Sequence, residues 1–468
     1  MTLKDKIFRD PLYGYISIPE DFCQGFIDTP IFQRLRRIEQ TSMRVLYPSA
    51  HHDRFAHSIG VFHLGRIAFR NLIKNSESFY DGVINKEQWD FLENTFLIAC
   101  LMHDCGHSPF SHTFEHFYLY KRETAIKEHF LTYYKEEPGF SYDYDSSSPA
   151  AHEKISALVL LSQYSDIILT FNACPRLAAR MIMGCKFEIT ECPFQRFQNK
   201  LISILNGPGI DVDSLDYIQR DSWASGVSNV NIDYQRLLSS IMIRPDENGI
   251  PQIVFKKQVL SVIENITIGR NFLYKWIYSH HKVNYEQYLL EKITDKINHD
   301  SEDEFCLKAF SFESFLEPQL FNNLSYFLTT DDDIIYTLKQ YYTEDSRIEE
   351  LFSRRYKYKA IWKTYFEFND AYFESLTPKN LMKIFSKIDD GALSRFYDPN
   401  DYICLPSEPK LKSIEQNDFF IEINGRLIDA SKASNLKSEN LNYFLIYIKD
   451  ILIPEKNNLI KRILSLQS

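Results

Sequence analysis

The chain has little glycine, and it lacks the short motifs by which glycine-rich loops hold phosphate groups. Only 15 of its 468 residues are glycine, and neither GxxxxGK nor GxGxxG occurs. A GxSxG nucleophile turn is also absent. These absences exclude the phosphate cradles of P-loop and dinucleotide-binding proteins. If the chain handles phosphates, it does so with a metal ion and with arginine, lysine and histidine side chains.

Disulfide and membrane architectures are not predicted either. The eight cysteines form no CxxC pair and have no regular spacing, so we expect buried thiols in a reducing compartment. The longest apolar run, Phe96 to Met102, is far shorter than the roughly 20 residues of a membrane-spanning helix. The charged start has no apolar region typical of a signal peptide, so we expect a cytoplasmic protein with no membrane partner.

The overall charge is acidic, with 63 Asp and Glu against 53 Lys and Arg, which gives a net charge of −10. This balance disfavours nucleic acid as a partner, because sequence-independent binding to a phosphate backbone needs positive charge. The hydrophobic fraction of 44% is ordinary for a globular protein and excludes global disorder.

Hydrophobic periodicity predicts a mainly α-helical fold with small β-hairpins and a mixed α+β C-terminal lobe. We expect one α-helical core over residues 1–300 and the lobe over residues 301–468, with Asp331 to Asp333 in an acidic loop. Helices are predicted at Thr29–Met43, Arg54–Lys74, Lys86–Met102, Lys154–Gln163, Pro193–Leu205, Asp213–Trp223 and Leu260–Ile293. Hairpins are predicted at Met242–Lys257, which contains an Asn-Gly turn, and at Phe419–Ala430.

Histidine is concentrated in one stretch, because nine of the 13 histidines lie between His51 and His129. Such clustering indicates a metal site or acid–base chemistry. His103 and Asp104 end an apolar helix, which places them at the edge of a buried pocket. With His57 and Asp213, they could bind a divalent ion such as Mn, Fe, Mg, Zn or Ni. Other carboxylates are present, so the spacing alone does not select the fourth ligand.

The order H…HD…D resembles that of the HD-domain metal phosphohydrolases. Further segments are similar to the deoxynucleoside triphosphate triphosphohydrolases, which include the vertebrate sterile-alpha-motif/HD enzyme and the bacterial dGTPase-like proteins. The similarity covers residues 6 to 290 and matches the bacterial type without a sterile-alpha-motif domain. The matching segments are Asp10-Pro11 with Gly14, Ile27–Pro30, Phe32–Arg36, Arg54–Gly60, His103–His112, Gly209–Asp213, Asp216-Tyr217 and Arg220-Asp221.

This resemblance implies an HD-domain core that cleaves a dNTP with water into a deoxynucleoside and inorganic triphosphate. The implied metal ligands are His57, His103, Asp104 and Asp213. The implied proton donors for the leaving 5′ oxygen are His107, His112 and His152. Glu115 lies three residues after His112 and could orient a histidine and raise its basicity.

The resemblance also implies substrate contacts. Arg54 and Arg270 would hold the β and γ phosphates, because a guanidinium matches phosphate oxygens. Gln40 and Asp221 would hold the 3′-hydroxyl, and Tyr217 would pack under the sugar and exclude a 2′-hydroxyl. Tyr278 is a further implied contact, although its segment differs by one residue in length. The family often has Lys after the metal-binding Asp, whereas this chain has Ser214, so its phosphate contacts differ there.

A second set implies an allosteric enzyme controlled by a regulatory nucleotide. The positions that read a guanine nucleotide in the vertebrate enzyme correspond to Asp28, Gln33 and Arg36, with Lys6 near the triphosphate. Positions next to an adjoining activator correspond to Arg236 and Lys256, while Gln258 and Val262 differ from the family. We expect a homo-oligomer, a homotetramer built as a dimer of dimers. The alternative is that Asp28 caps a helix whose polar face carries Gln33 and Arg36.

Two other functions are considered. One is a different HD phosphohydrolase, such as a nucleotidase or cyclic-nucleotide phosphodiesterase, which the Gln40, Tyr217 and Asp221 set disfavours. The other is a non-catalytic nucleotide sensor, which the complete ligand set disfavours. The preferred base, the metal, the activator and the biological role, whether dNTP pool control or antiviral defence against phage, are not determined by the sequence.

Overall fold

The computed structural model of the chain describes residues 5–119, 122–227, 230–300, 308–310, 312–321, 323–373, 376–407, 409–414, 418–434, 436 and 443–466. The chain forms two compact units, each built from separated stretches. Unit 1 comprises Met1–Gly269, Ile297–Ile335 and Ser413–Lys437, and unit 2 comprises Arg270–Lys296, Tyr336–Lys412 and Ser438–Ser468. A division of function between residues 1–300 and 301–468 stays a prediction.

The mainly helical fold class is confirmed. The helices are α1 Glu20–Phe22, α2 Pro30–Arg34, α3 Arg54–Ser76, α4 Lys86–Met102, α5 Glu115–Leu119, α6 Glu123–Tyr133, α7 Phe140–Ser146, α8 Ala151–Gln163, α9 Ser165–Thr170, α10 Pro175–Ile182, α11 Pro193–Leu205, α12 Val212–Ser225, α13 Tyr234–Ser239, α14 Leu260–Leu273, α15 His281–Asp300, α16 Asp331–Gln340, α17 Ser346–Ser353, α18 Tyr365–Phe368, α19 Pro378–Asp389, α20 Ala430–Ala433 and α21 Lys456–Ser465. Among the residues that can be described, no helix combines the length and hydrophobicity needed to cross a membrane.

The strands form small sheets within each unit. They are β1 Lys6–Asp10, β2 Gly14–Ile18, β3 Met242–Pro245, β4 Pro251–Lys256, β5 Gln319–Phe321, β6 Leu324–Tyr326, β7 Tyr358–Ala360, β8 Tyr402–Ser407, β9 Phe420–Ile423, β10 Arg426–Asp429 and β11 Tyr443–Lys449. Unit 1 contains the antiparallel pairs β1–β2 and β5–β6 and a four-stranded sheet in the order β10-β9-β4-β3. Unit 2 contains the sheet β7-β11-β8.

Both predicted hairpins are present in the four-stranded sheet. The segment around Asn248-Gly249 forms β3–β4, and Gly249 adopts a positive φ of 75° in the turn. The later segment forms β9–β10. Strand β9 also pairs in parallel with β4, with Val254 opposite Phe420, so the sheet joins two distant parts of the chain.

The predicted helix over Thr29–Met43 is wrong beyond Arg34. Helix α2 ends there, a short 3-10 turn follows, and Ile38 is extended. The carbonyl of Ile38 accepts from the Arg54 N–H at 3.0 Å, and the Gln40 N–H donates to the His52 carbonyl at 3.1 Å. Backbone pairing with the segment before α3 therefore replaces the helical bonds that periodicity predicts.

Two further predictions on the C-terminal side need correction. The single helix over Leu260–Ile293 is interrupted, because α14 ends at Leu273, a π-helical turn spans Tyr274–Tyr278, and α15 begins at His281. Asp331 to Asp333 do not lie in a loop but form the first turn of α16. Carboxylates are favourable at this position because they face the positive end of the helix dipole.

Helices α3, α4 and α12 pack closely because small residues lie at their contacts. A Cβ on Gly65 of α3 would lie 2.6 Å from the Cys100 sulfur of α4, and a Cβ on Gly60 would lie 1.9 Å from the Asp216 carboxylate of α12. The apolar end of α4, from Phe96 to Met102, is buried. These contacts bring the polar ends of the three helices together in unit 1.

Candidate metal and acid–base site

Three predicted metal ligands converge at the ends of α3, α4 and α12. The His57 and His103 Nε2 atoms are 3.3 Å apart, and the Asp213 carboxylate lies 3.0 Å from His57 Nε2 and 3.7 Å from His103 Nε2. Two imidazole nitrogens and one carboxylate oxygen within this distance could hold a divalent metal ion. Both histidines are buried, whereas 40% of the Asp213 side chain is exposed.

Hydrogen bonds at the other ring nitrogens set the orientation of both imidazoles. His57 Nδ1 lies 2.7 Å from Asp216 Oδ2, and His103 Nδ1 lies 2.9 Å from the Cys100 carbonyl. Because a carboxylate and a carbonyl only accept, each Nδ1 carries a hydrogen in these bonds, which leaves each Nε2 as the ring nitrogen that could bind a metal ion. The donor set therefore fits a metal ion.

Asp104 lies next to this cluster but also forms an ion pair. Its carboxylate is 3.6 Å from His103 Nε2 and 3.7 Å from His57 Nε2, while Arg54 Nη1 donates to it at 2.7 Å. Burial opposes ionisation of Asp104, but Arg54 and the two histidines outweigh that effect and hold its pKa below the usual range. Its predicted role as a fourth ligand stays a prediction.

A buried network supports His57 from behind. Arg220 donates to both oxygens of Asp216 at 2.8 and 2.9 Å and to Asp10 at 2.9 Å, and the Tyr13 hydroxyl donates to Asp216 at 2.8 Å. Asp216 and Arg220 are fully buried. Metal-binding histidines commonly have such carboxylate partners, which fix the ring and increase its basicity.

In the cluster of His57, His103 and Asp213, groups of opposite charge favour the charged form of one another. Burial disfavours protonation of His57, but its hydrogen bonds to Asp213 and Asp216 outweigh burial and raise its pKa to about 10. Burial likewise disfavours ionisation of Asp213, yet His103 and His57 hold its pKa well below the usual range. A proton therefore occupies the cluster at neutral pH, and a metal ion would replace it.

A second cluster contains all four predicted catalytic residues. His112 Nδ1 lies 2.9 Å from Glu115 Oε1, His152 Nδ1 makes a short hydrogen bond to the same oxygen, and His107 Nε2 is 3.9 Å from it. The rings of His107 and His152 are stacked with centroids 4.3 Å apart. The sequence predicted these residue roles separately, and the fold brings the four side chains together.

The members of this second cluster differ in protonation. Burial opposes protonation of His152, but the Glu115 carboxylate outweighs burial and raises the pKa of His152 to about 9. Burial, followed by the charges of Arg54, His152 and His112, lowers the pKa of His107 well below its usual value. At neutral pH, His152 is therefore a proton donor and His107 is neutral.

The turn between His107 and His112 has an unusual backbone. Phe110 and Ser111 have φ values of 50° and 51°, in the left-handed region that residues with side chains seldom adopt. A Cβ on Gly106 would lie 2.5 Å from the Ser156 backbone nitrogen of α8, so only glycine permits this approach. Since His152 also lies on α8, the close contact sets the distance between the two histidine segments.

Arg54 links the two clusters. Besides Asp104, its guanidinium donates to Ser111 Oγ at 3.0 Å and to the Gln40 carbonyl at 3.1 Å, and the side chain is buried. Arg54 therefore forms hydrogen bonds to residues next to each of the two clusters. Its predicted contact with phosphate stays a prediction.

The predicted sugar-binding residues lie along the same elements. Tyr217 and Asp221 follow Asp213 by one and two turns of α12, so the three positions share one helix face. Asp221 Oδ1 lies 2.6 Å from His52 Nε2, and both side chains are buried. The side-chain oxygen of Gln40 is buried and has no hydrogen-bond partner among the residues described. The sugar contacts of Gln40, Tyr217 and Asp221 stay predictions.

The remaining predicted substrate residues, Arg270 and Tyr278, belong to unit 2. Arg270 stacks on the Tyr274 ring at 4.0 Å and donates to the Lys410 carbonyl at 2.6 Å. The rings of Tyr274 and Tyr278 meet edge to face at 5.0 Å. Their contact with a substrate stays a prediction.

The predicted regulatory residues lie on exposed or partly exposed surface. Lys6 pairs with Asp28 at 2.5 Å. Gln33 donates to the Ile27 carbonyl at 2.8 Å and accepts from Arg36 at 2.9 Å, and the Arg36 guanidinium covers the Phe55 ring. Gln33 and Arg36 also line a polar cavity of about 580 Å³.

The other two predicted regulatory residues also lie in unit 1. Arg236 and Lys256 are both exposed, and Arg236 donates to the Gln258 carbonyl at 2.5 Å. The nucleotide roles of all six regulatory residues stay predictions.

Sequence reasoning gave no role to His52, Tyr13 or Asp331. His52 stands beside other histidines, so its pairing with Asp221 could have been considered. The ion pair between Arg220 and Asp216 could have been predicted, because the two residues lie four positions apart on one helix. No local pattern connects Asp331 to the site, because its contacts are with residues 221 and 292 positions away.

Comparisons with known proteins agree with this geometry. No family model matches the chain. Deoxynucleoside triphosphate triphosphohydrolase SAMHD1 from Danio rerio is 30% identical over 280 residues, covering 59% of this chain and 42% of that protein. HD domain-containing protein L394 from Acanthamoeba polyphaga mimivirus is 28% identical over 323 residues, covering 64% and 62%. The comparisons support an HD-domain assignment.

Two kinds of match cover more of the chain. One is a sequence match to a protein named as uncharacterized, and the other is structural similarity to solved proteins. Uncharacterized protein MG461 from Mycoplasma genitalium is 28% identical over 458 residues, covering 91% of this chain and 96% of that protein. A hypothetical protein from Aquifex aeolicus has a TM-score of 0.65 at 23% identity, covering 97% of this chain and 99% of that one. A phosphohydrolase structure from Bacteroides thetaiotaomicron has a TM-score of 0.62 at 20% identity, covering 96% and 100%. The two structures show that the fold extends over nearly the whole chain, whereas the chain spans less than half of the SAMHD1 proteins.

Proposed function

We propose that this chain is a metal-dependent phosphohydrolase of the HD type, and specifically a dNTP triphosphohydrolase. The observation that carries the proposal is the pairing of two clusters, a metal-type set at His57, His103 and Asp213 and an acid–base set around Glu115. Arg54 donates to Asp104, beside the metal-type set, and to Ser111, next to His112 of the acid–base set. The similarity to relatives named triphosphohydrolases supports dNTPs as the substrate class.

The reaction proposed is dNTP plus water giving a 2′-deoxynucleoside and inorganic triphosphate. His57, His103 and Asp213 would hold the divalent ion, with Asp104 beside them. Such an ion polarises a phosphate oxygen and lowers the pKa of a bound water.

The protein's own residues supply the proton chemistry. His152 carries a proton at neutral pH because Glu115 raises its pKa to about 9, and it can donate that proton to the departing 5′ oxygen. Glu115 accepts hydrogen bonds from His112 and His152 and so fixes both rings. Tyr217 is proposed to exclude a ribose 2′-hydroxyl, and Gln40 and Asp221 to bind the 3′-hydroxyl.

Product analysis tests the proposal directly. The chain with Mn²⁺ is incubated with each dNTP alone and in pairs in ¹⁸O-labelled water, and the products are separated and weighed by mass spectrometry. We expect one intact triphosphate that carries the label and an unlabelled deoxynucleoside, because water attacks the α-phosphorus. The control is the His103→Ala, Asp104→Ala double variant, which should stay folded and lose activity.

Two results contradict the proposal. Orthophosphate or pyrophosphate as the first product would assign the chain to another class of HD hydrolase. Nucleotide binding without turnover would assign it to a sensor. Equal rates on GTP and dGTP would contradict only the role given to Tyr217.

A further inference from the structure

Hydrogen bonds connect the first turn of α16 to the turn between the predicted catalytic residues His107 and His112. The Asp331 side chain is buried, its Oδ1 accepts from the Phe110 N–H at 2.7 Å, and its Oδ2 accepts from the Glu39 N–H at 2.9 Å. One carboxylate therefore joins α16, the segment after α2 and the turn between His107 and His112. The three bonded residues, Asp331, Glu39 and Phe110, all belong to unit 1.

The turn between His107 and His112 has an unfavourable backbone conformation, so contacts from other segments must stabilise it. Phe110 and Ser111 are both left-handed, and each such residue costs roughly 1 kcal/mol or more relative to its preferred conformation. The Ser111 hydroxyl donates to the Glu39 carbonyl and accepts from Arg54. Asp331 thus binds the backbone of Phe110, while Glu39 and Arg54 bind the Ser111 hydroxyl.

Helix α16 is itself well anchored, so it can act as a fixed point. Asp333 accepts from the Thr330 N–H and hydroxyl at 2.7 Å, which caps the helix start. Arg34 donates to the Thr329 carbonyl at 2.7 Å. The bonds to Phe110 and Glu39 therefore connect the histidine turn to a helix start that is anchored by its own hydrogen bonds.

Burying the Asp331 carboxyl group costs more folding free energy than a purely structural role would require. No ion pair to it is formed within the part of the chain described, and burial raises its pKa to about 7 despite its two backbone hydrogen bonds. A buried carboxyl group without an opposite charge costs stability unless its hydrogen bonds compensate. Here those bonds go to Glu39 and to the histidine turn.

We propose that Asp331 is a positioning residue for the acid–base cluster. By accepting the Phe110 N–H, it fixes the turn so that His107 stays buried and His112 keeps its hydrogen bond to Glu115. The proposal rests on the proposed function only where it assigns proton transfer to this cluster.

The first test compares two substrates in the Asp331→Asn variant. Asparagine has nearly the same shape but one acceptor oxygen, so it cannot accept both N–H groups. We expect kcat on a dNTP to fall about tenfold or more with little change in KM, because proton donation to the leaving group is misaligned. Hydrolysis of bis(4-nitrophenyl) phosphate should change less than about twofold, since its leaving group needs no proton.

The matched control is Asp332→Asn. Asp332 is exposed, and its carboxylate pairs with Arg37, whereas the Phe110 and Glu39 N–H groups donate to Asp331, so both activities should stay unchanged. Equal losses on both substrates in Asp331→Asn would indicate a structural role and overturn the proposal.

The second test needs no substrate and is independent of the proposed function. Histidines are labelled with diethyl pyrocarbonate and the rate at each site is read by mass spectrometry. We expect His107 to react faster in Asp331→Asn than in the parent chain or in Asp332→Asn. If the parent turns over no dNTP, the proposed function fails, while this labelling still decides the role of Asp331.

Asp331→Thr serves as a second variant, because threonine is small and suits a helix start. Unchanged His107 labelling in a folded variant, or unfolding of both variants, overturns the proposal, since a positioning residue must leave a folded chain.

Discussion

Glu115 is the residue on which the acid–base cluster depends, because one of its oxygens serves both His112 and His152. Burial alone would leave the His152 imidazole neutral, but the Glu115 carboxylate keeps it protonated. Its own pKa is held below the usual range, because the two histidines outweigh the effect of burial. The pair therefore couples protonation to the stability of the fold.

The stability that His152 contributes should depend on pH in a defined direction. Its pKa is about 9 in the fold, against roughly 6.5 in an unfolded chain, so its contribution is complete below pH ~6.5 and is lost as pH rises through 9. The melting temperature of the parent should exceed that of His152→Gln by more at pH 6 than at pH 9. Thermal denaturation of both proteins at several pH values measures this difference.

Exposed His129 provides the control, since His129→Gln should show no such trend. A gap between parent and His152→Gln that is constant or grows toward pH 9 would contradict the pairing with Glu115.

At the scale of elements, the contact between α3 and α12 explains why His57 can be held so firmly. Gly60 lets the Asp216 and Arg220 side chains pass directly over the α3 backbone, one turn after His57. Any side chain at this position would push away the carboxylate that orients the imidazole. The glycine thus supports the candidate metal site although it contributes no ligand.

Gly60→Ala should weaken metal binding. The new Cβ would lie 1.9 Å from Asp216 and 2.5 Å from Arg220, so both must shift, at a cost of about 1–3 kcal/mol in stability. Loss of the orienting bond to His57 should reduce Mn²⁺ affinity about 10- to 100-fold, as measured by titration calorimetry.

The control for this change is Gly139→Ala. Gly139 has a negative φ, and a Cβ added there would meet no described atom within 4 Å, so both stability and affinity should be retained. Unaltered Mn²⁺ affinity in folded Gly60→Ala would separate the Asp216 network from metal binding.

The helices that were predicted best from the sequence are those that begin at a capping residue. Arg54–Lys74 and Lys86–Met102 match α3 and α4 within two residues, because caps at Asp53 and Asn85 fix their starts. The segment after Arg34 failed because its backbone bonds go to residues near His52 instead of along a helix. The site residues that carry motifs could be named from sequence, whereas Asp331 could not, since its contacts exist only in the fold.

At the scale of the whole molecule, the predicted assembly concerns the surface around α2. Gln33 and Arg36 bond to each other on an exposed face and line the polar cavity, so both are accessible to a ligand in the single chain. A nucleotide that binds an assembled form more tightly than the single chain would shift the equilibrium by that difference in affinity. This links the regulatory proposal to oligomeric state.

Arg36→Ala should therefore weaken nucleotide-dependent activation and assembly together, while Mn²⁺ affinity at His57, His103 and Asp213 is kept. Activity on one dNTP is measured while a second nucleotide is titrated, with molar mass by light scattering. Arg37→Ala is the neighbouring control, since Arg37 pairs with exposed Asp332. Full activity and unchanged mass in Arg36→Ala would show that this arginine only packs on Phe55.

The interleaved composition of unit 1 has a consequence for biosynthesis. Strand β4 leaves the ribosome long before β9, its parallel partner, and most of unit 2 is translated in between. During that interval, the nascent chain carries an unpaired edge on β4, which can pair with other chains. Folding of unit 1 cannot finish during translation of its first 269 residues, so its completion must wait until the late segment Ser413–Lys437 has emerged.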